Sequence, residues 1–266
     1  MTSSVLRKSL VACLLNVSEA RNKDVIERIA RAAVCNSRGQ KHPDTAVLNV
    51  FSNYDYNRSV LTIVSTSEQI GRSVVSSCVE GFTCIDHSRH DGVHPCLGSI
   101  DLVPIYPLSG VTLEQCGNIA KGVGASPYVM NCNVTLDTQD LTSGKAIATA
   151  IRERTGGLKG VQAMAFPNKG QVEIACNVES FRDISENISE LEAAKYISYN
   201  ICEDTFFYTS PRHIEAEVQN LASCRGIKTV GAALVGFTPQ ECRITAEYAI
   251  SHGIHEFWKK RKGVSM

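Results

Sequence analysis

Apolar residues along this chain recur with a period near two in some stretches and near 3.6 in others, the mark of mixed strands and helices. The run at residues 11–17 suits a buried strand. Asn22 then opens a helix whose apolar face is Val25, Ile26, Ile29, Ala30 and Ala33. A polar loop containing Gly39 and Pro43 leads to β-rich runs at 46–51 and 59–65, joined by the turn-like stretch 52–57. Ser67 is placed to cap a second helix with Ile70, Val74, Val75, Cys78 and Phe82 as its apolar positions. A short strand at 100–106, closed by Pro107, precedes a capping box at Thr112 and Gln115. The predicted order is βαββαβα.

The second half repeats it. Residues 128–136 read as a strand and 142–154 as a helix ended by Gly156 and Gly157. Strands at 161–166 and 171–178 flank the turn Pro167–Asn168–Lys169–Gly170. Ser210 and Pro211 start a helix bearing Ile214, Val218 and Leu221, with Gly226 at its end. A strand at 229–235 follows, and Thr238 with Glu241 forms a second capping box for a last helix that stops near Gly253. Residues 180–210 carry no clear period. This repetition predicts an α+β protein of two tandem ferredoxin-like βαββαβ subdomains with a groove between them. The boundary is expected near 122–127, giving domains 1–123 and 124–266.

Composition narrows the function classes. A length of 266 residues leaves room for two cores. The 27 basic and 27 acidic residues cancel, which argues against a general nucleic-acid binder. No apolar run approaches the roughly 20 residues of a membrane helix, and the stretch after Arg7 and Lys8 is too short for a secretory signal. A cytoplasmic protein is expected, without membrane partners. Eleven cysteines, an odd number with no C-x-x-C spacing, read as reduced structural thiols. Gly-rich phosphate loops are absent, so nucleotide chemistry has no support. The basic end around Trp258 reads as a solvated tail.

One segment concentrates chemistry: Asp86–His87–Ser88–Arg89–His90–Asp91–Gly92–Val93–His94–Pro95–Cys96–Leu97–Gly98. It lies between a predicted helix and a predicted strand, where catalytic loops collect. Three readings are open: a histidine acid/base, a metal site built on His87, His90, His94 and Cys96, or surface histidines in a polar loop. Pro95 stiffens the chain beside His94, and Gly92 and Gly98 allow close backbone approach.

The pattern from Asp86 through Ser88–Arg89–His90, Gly92, His94–Pro95 and Gly98 to Asp101 resembles the signature of the formiminotransferase family. Leu15–Asn16–Val17–Ser18–Glu19 and Asn57–Arg58–Ser59–Val60 extend the resemblance, as do Val161–Gln162–Ala163 and Val235–Gly236 in the second half. The resemblance implies transfer of a formimino group from N-formiminoglutamate, or a related amidine donor, to N5 of tetrahydrofolate. It implies His94 as the catalytic residue and Asn16 as a group contacting the formimino group. Arg58, Arg89 and His90 become candidate substrate-binding residues, with a structural ion pair as the competing role for each arginine. No metal is implied, and a homodimer is an expectation. The basic residues Lys145, Arg152, Arg154, Lys159 and Lys169 suit either a folate polyglutamate tail or a solvated face.

Three departures accompany the resemblance. Cys96 stands where the family has Arg, and Phe51 where it has an active-site Asp. Several dozen residues that relatives carry before the second subdomain are also missing, including a strand, which would leave a sheet edge open. A folate-binding protein with impaired catalysis on the same fold is the alternative reading.

Overall fold

A computed structural model of the chain describes residues 9–36, 38–94, 98–120, 128–183 and 190–260. Two compact units are present, Met1–Ser126 with Gln240–Ser265, and Pro127–Pro239. The expected boundary at 122–127 lies outside the described residues. The chain after Gln240, read from the sequence as part of the second domain, groups with the first unit.

In the first unit the order is β1 (Leu10–Val17), α1 (Lys23–Val34), β2 (Thr45–Asn53), β3 (Arg58–Thr66), α2 (Ile70–Cys84), β4 (Ile100–Leu102), β5 (Ile105–Ser109) and α3 (Leu113–Ile119). The sheet is antiparallel in the order β2-β3-β1-β4, with β5 also on β1. The single strand expected at 100–106 is therefore two short ones, and the second runs through Pro107. Pro104 separates them: it has no N–H to donate, but its carbonyl accepts from Leu14 N at 3.3 Å.

Local signals explain α1 and α3. Asn22 accepts from Val25 N, and the buried face is Val25, Ile26, Ile29, Ala30, Ala33 and Val34. Thr112 and Gln115 form the reciprocal capping box. The second helix differs from expectation. It begins at Ile70 after Gln69, with no side-chain cap, and it buries Ile70, Ser73, Val74, Ser77 and Gly81. Val75 and Phe82, expected in the core, are 61% and 64% exposed. Hydrogen bonds make the serine face possible: Ser77 Oγ donates to Ile29 O at 3.0 Å, and Ser73 Oγ lies 3.2 Å from Thr45 Oγ1. Gly81 allows close packing, since a Cβ there would come 2.9 Å from Ile100 Cδ1.

The outer edge of β2 is met by the C-terminal segment. Val47 N donates to His255 O at 2.9 Å, His255 Nδ1 donates to Thr45 O at 2.8 Å, and Lys259 Nζ reaches Glu27 at 2.8 Å. Trp258 packs against the core of β1–β3, α1 and α2. The expected solvated tail is thus a docked element as far as Lys259.

The second unit contains β6 (Met130–Leu136), α4 (Leu141–Ile151), β7 (Val161–Asn168), β8 (Gln171–Val178), α5 (Glu190–Ala193), β9 (Tyr196–Ile201), β10 (Asp204–Thr209), α6 (Pro211–Ser223) and β11 (Thr229–Val235); α7 (Pro239–Ser251) follows. Its antiparallel sheet has the order β11-β6-β8-β7, the same relation of first, second, third and fourth strands as in the first unit. Lys169 and Gly170, both at positive φ, make the two-residue β7–β8 turn. The stretch that carried no period holds the β9–β10 hairpin, whose Phe206 and Tyr208 are buried. Glu173 is fully buried on β8 and accepts amide N–H groups from Asn133 and Asn168.

Candidate functional site

The ends of β1, β3 and β4 bring three polar side chains together in the first unit. Asn16 of β1 stands opposite Val60 of β3 and Leu102 of β4. Arg58 opens β3 just after Asn57, a turn residue at φ 47°. Asp101 lies in β4. Arg58 Nη1 donates to Asp101 Oδ2 at 2.6 Å, while Nε and Nη2 donate to Asn16 Oδ1 at 3.3 and 3.2 Å. Asn16 Nδ2 in turn donates to Leu14 O at 2.8 Å. The pair is withdrawn from water, with 12% of the Arg58 side chain and 7% of Asp101 exposed.

Half-buried His94 joins this cluster. Its Nδ1 is 3.5 Å from Arg58 Nη1, and its ring centroid is 5.5 Å from that of Tyr56. The histidine loop is tied to the β2–β3 turn by Val93 N, which donates to Asp55 O at 3.0 Å. Gly92 lies so close that a Cβ there would be 2.2 Å from Tyr56 O. On the other flank, Ser18 N donates to Ser99 O at 2.9 Å and Ser18 Oγ to Gly98 O at 2.7 Å.

His90 occupies a separate position. Its Nδ1 lies 3.2 Å from Ser18 O and 3.4 Å from Asn57 Nδ2. A carbonyl only accepts, so Nδ1 carries the hydrogen toward Ser18 and Nε2 keeps its lone pair. His87 stacks against His90 at 5.5 Å. Arg89 is exposed, and together with His90 and Asn57 it lines an open cleft of about 700 Å³ whose wall also includes Arg21, Lys23 and Cys84. Burial, and next Glu80, push the Cys84 thiol above its ordinary range, so it is a poor nucleophile.

Of the residues predicted from the sequence, Asn16, Arg58 and His94 meet in one cluster, whereas Arg89 and His90 face the neighbouring cleft. Among the described residues no three His, Cys, Asp or Glu side chains gather to hold a metal; Cys96 lies outside them. Phe51 sits half-buried on β2 opposite Val60. Two polar residues were not singled out for the site: Asp101, and Asn57, whose Oδ1 accepts from Ala20 N at 3.0 Å. Both belong to the quoted motifs, and a lone acid between Ile100 and Leu102 in a short apolar strand was the available signal.

Comparison with known proteins places the chain in a family. The formiminotransferase domain, N-terminal subdomain, matches residues 10–153, which begin at β1 and run through α4. Formimidoyltransferase-cyclodeaminase of Sus scrofa is 31% identical over 160 residues, covering 60% of this chain and 28% of that protein. Glutamate formimidoyltransferase of Thermoplasma acidophilum is 25% identical over 260 residues, covering 71% of this chain and 84% of that protein. A formiminotransferase cyclodeaminase-like protein of Arabidopsis thaliana is 26% identical over 253 residues, covering 65% and 83%. With the match spanning more than half of its residues, the chain belongs to the formiminotransferase N-terminal subdomain family.

Proposed function

We propose that the protein is a tetrahydrofolate-dependent formimidoyltransferase-like enzyme that moves a formimino group from N-formiminoglutamate, or a related amidine donor, to N5 of tetrahydrofolate. The observation that carries this reading is the cluster of His94, Arg58 and Asn16 in a member of this family. In the reaction N5 attacks the amidine carbon, forming a C–N bond and a tetrahedral intermediate. The N5 proton leaves, the bond from carbon to the glutamate nitrogen breaks, and that nitrogen takes a proton. An imidazole near neutrality is suited to both transfers, and His94 is the shuttle in this reading.

Asn16 uses both lone pairs of its oxygen on Arg58 and one amide N–H on Leu14 O. Its second N–H is the group that orients the imine nitrogen of the donor. Arg58 retains an N–H beyond those bonded to Asn16 and Asp101, and Arg89 supplies a further contact for a carboxylate from the cleft side, where His90 is a candidate contact for a hydrogen-bond donor of the substrate. In this assignment the two units are the N- and C-terminal ferredoxin-like subdomains of the family, the protein is cytoplasmic, and a homodimer is its assembly.

The test is a formimino-transfer assay, with tetrahydrofolate titrated separately. Wild-type turnover that falls by about 10²-fold or more in His94→Ala, with folate affinity kept, supports the reading. Folate binding with turnover no better than His94→Ala points to the alternative, a binding protein, which Phe51 in place of the family's Asp favours. Absence of folate binding at high micromolar concentration removes both.

A further inference from the structure

The Asp101 side chain is only 7% exposed, and only one of its oxygens is used. Oδ2 accepts from Arg58 Nη1 at 2.6 Å, while Oδ1 is shielded from water and has no hydrogen-bond partner. The same Nη1 lies 3.5 Å from His94 Nδ1. A guanidinium nitrogen only donates, so in this contact His94 Nδ1 is an acceptor and the neutral ring carries its proton on Nε2. The carboxylate and the imidazole are thus separated by one nitrogen atom of Arg58.

We propose that Asp101 is the positioning carboxylate of His94, acting in two stages. In the resting protein it anchors Arg58, which holds Nδ1 and leaves Nε2 as the ring atom facing the substrate. An imidazole that accepts a proton at Nε2 must carry hydrogen at Nδ1, which a guanidinium cannot receive. In the working state Arg58 therefore moves off Nδ1, drawn by a carboxylate of the donor or of folate. The vacant Oδ1 of Asp101 then accepts the Nδ1–H. Only N–H bonds change: as Arg58 withdraws, the ring releases its Nε2 proton to water and takes one from water at Nδ1, after which one proton enters at Nε2 from N5 and one leaves from Nε2 to the departing nitrogen. The carboxylate stays ionised and offsets the positive charge of the ring between these steps.

The inference deepens the transferase reading and rests on it for the working state, whereas its resting state does not require activity. Long-range proton–nitrogen NMR on the unliganded protein reads the His94 tautomer directly. In wild type, His94 Nδ1 is expected at the shift of an unprotonated ring nitrogen; in Asp101→Asn it moves toward the averaged value of an exposed histidine. Arg58→Lys, which cannot serve Asn16, Asp101 and His94 together, is expected to lose the same preference and serves if Asp101→Asn does not fold. Identical His94 spectra in wild type and the variants overturn the proposal, whatever the enzyme assay gives. With turnover established, Asp101→Asn is expected to lower kcat by about 10²-fold or more with KM little changed, and Asp101→Glu to recover part of it. A variant with full kcat and an unaltered pH profile excludes the working-state role. If the tautomer result holds and no transfer is found, the transferase assignment falls and the resting arrangement stands.

Discussion

Arg58 and Asp101 lie 43 residues apart in sequence and meet at 2.6 Å, the guanidinium bridging β3 to β4 while its other nitrogens hold Asn16 of β1. Removing one partner of such a buried pair leaves an uncompensated charge. Arg58→Ala should therefore destabilise the protein by about 3–5 kcal/mol, more than Arg58→Ala combined with Asp101→Ala. Urea unfolding of the single and double variants checks this. A double variant less stable than the single would contradict the ion-pair account.

Gly92 tests how tightly the histidine loop is held. Gly92→Ala forces a Cβ into the Tyr56 carbonyl, a backbone atom that has little room to move. The expected cost is about 1–3 kcal/mol, with formimino transfer lost more severely than stability. Gly117→Ala in α3 is the control: nothing lies within 4 Å of the added carbon, and stability should rise by about 0.5–1 kcal/mol.

Two histidines set an acid limit on stability. Burial, then Arg72 and His255, hold the His42 imidazole below its ordinary value; burial and then Lys195 do the same for His213. Because the folded value is the lower one, the unfolded chain takes up protons first as pH falls through about 6.5. Stability from these groups is complete above that pH and declines below it. Chemical unfolding at pH 7.5 and 5.5 should show this loss, reduced in His42→Gln with His213→Gln; an unchanged difference between the two pH values would count against it.

The docked tail makes a fourth prediction. Trp258 is half-buried against the first core, so Trp258→Ala should cost about 2 kcal/mol, less than the 3–5 of a fully enclosed tryptophan. Lys259→Ala, which removes an exposed pair with Glu27, should change the urea midpoint little. Equal effects of the two would mean the indole is not packed.

The orientation of α2 is checked at its surface. Phe82→Ser and Val75→Ser should each stay within about 0.5 kcal/mol of wild type, since both side chains are exposed. Ser77→Leu should be strongly destabilising, because it overfills a closed site and removes the bond to Ile29 O. A large loss at Phe82 measured by thermal unfolding would restore the face that hydropathy alone suggests.

These cases show what the chain discloses locally. Asn22, Thr112 and Ser210 cap their helices through residues three positions on, so α1, α3 and α6 were readable. The face of α2 was not, because Ser73 and Ser77 find partners on Thr45 and Ile29, far off in sequence. The β9–β10 hairpin escaped because its inward residues, Tyr199, Ile201, Phe206 and Tyr208, fall in two short runs where apolar Ile197 and Phe207 take positions between or beside them and blur the alternation. At the candidate site the histidine motif was visible as a motif. Its division into His94 beside Arg58 and His90 beside Ser18 was not, since that depends on residues 36 and 72 positions away.

The tail on β2 also orders events during synthesis. Thr45 and Val47 are made early, yet the carbonyl of His255 and its ring reach them only after some 210 further residues have been joined. A nascent chain therefore carries a bare strand edge for most of its translation, a window in which a chaperone, or the same strand of a neighbouring ribosome's product, can occupy that edge first.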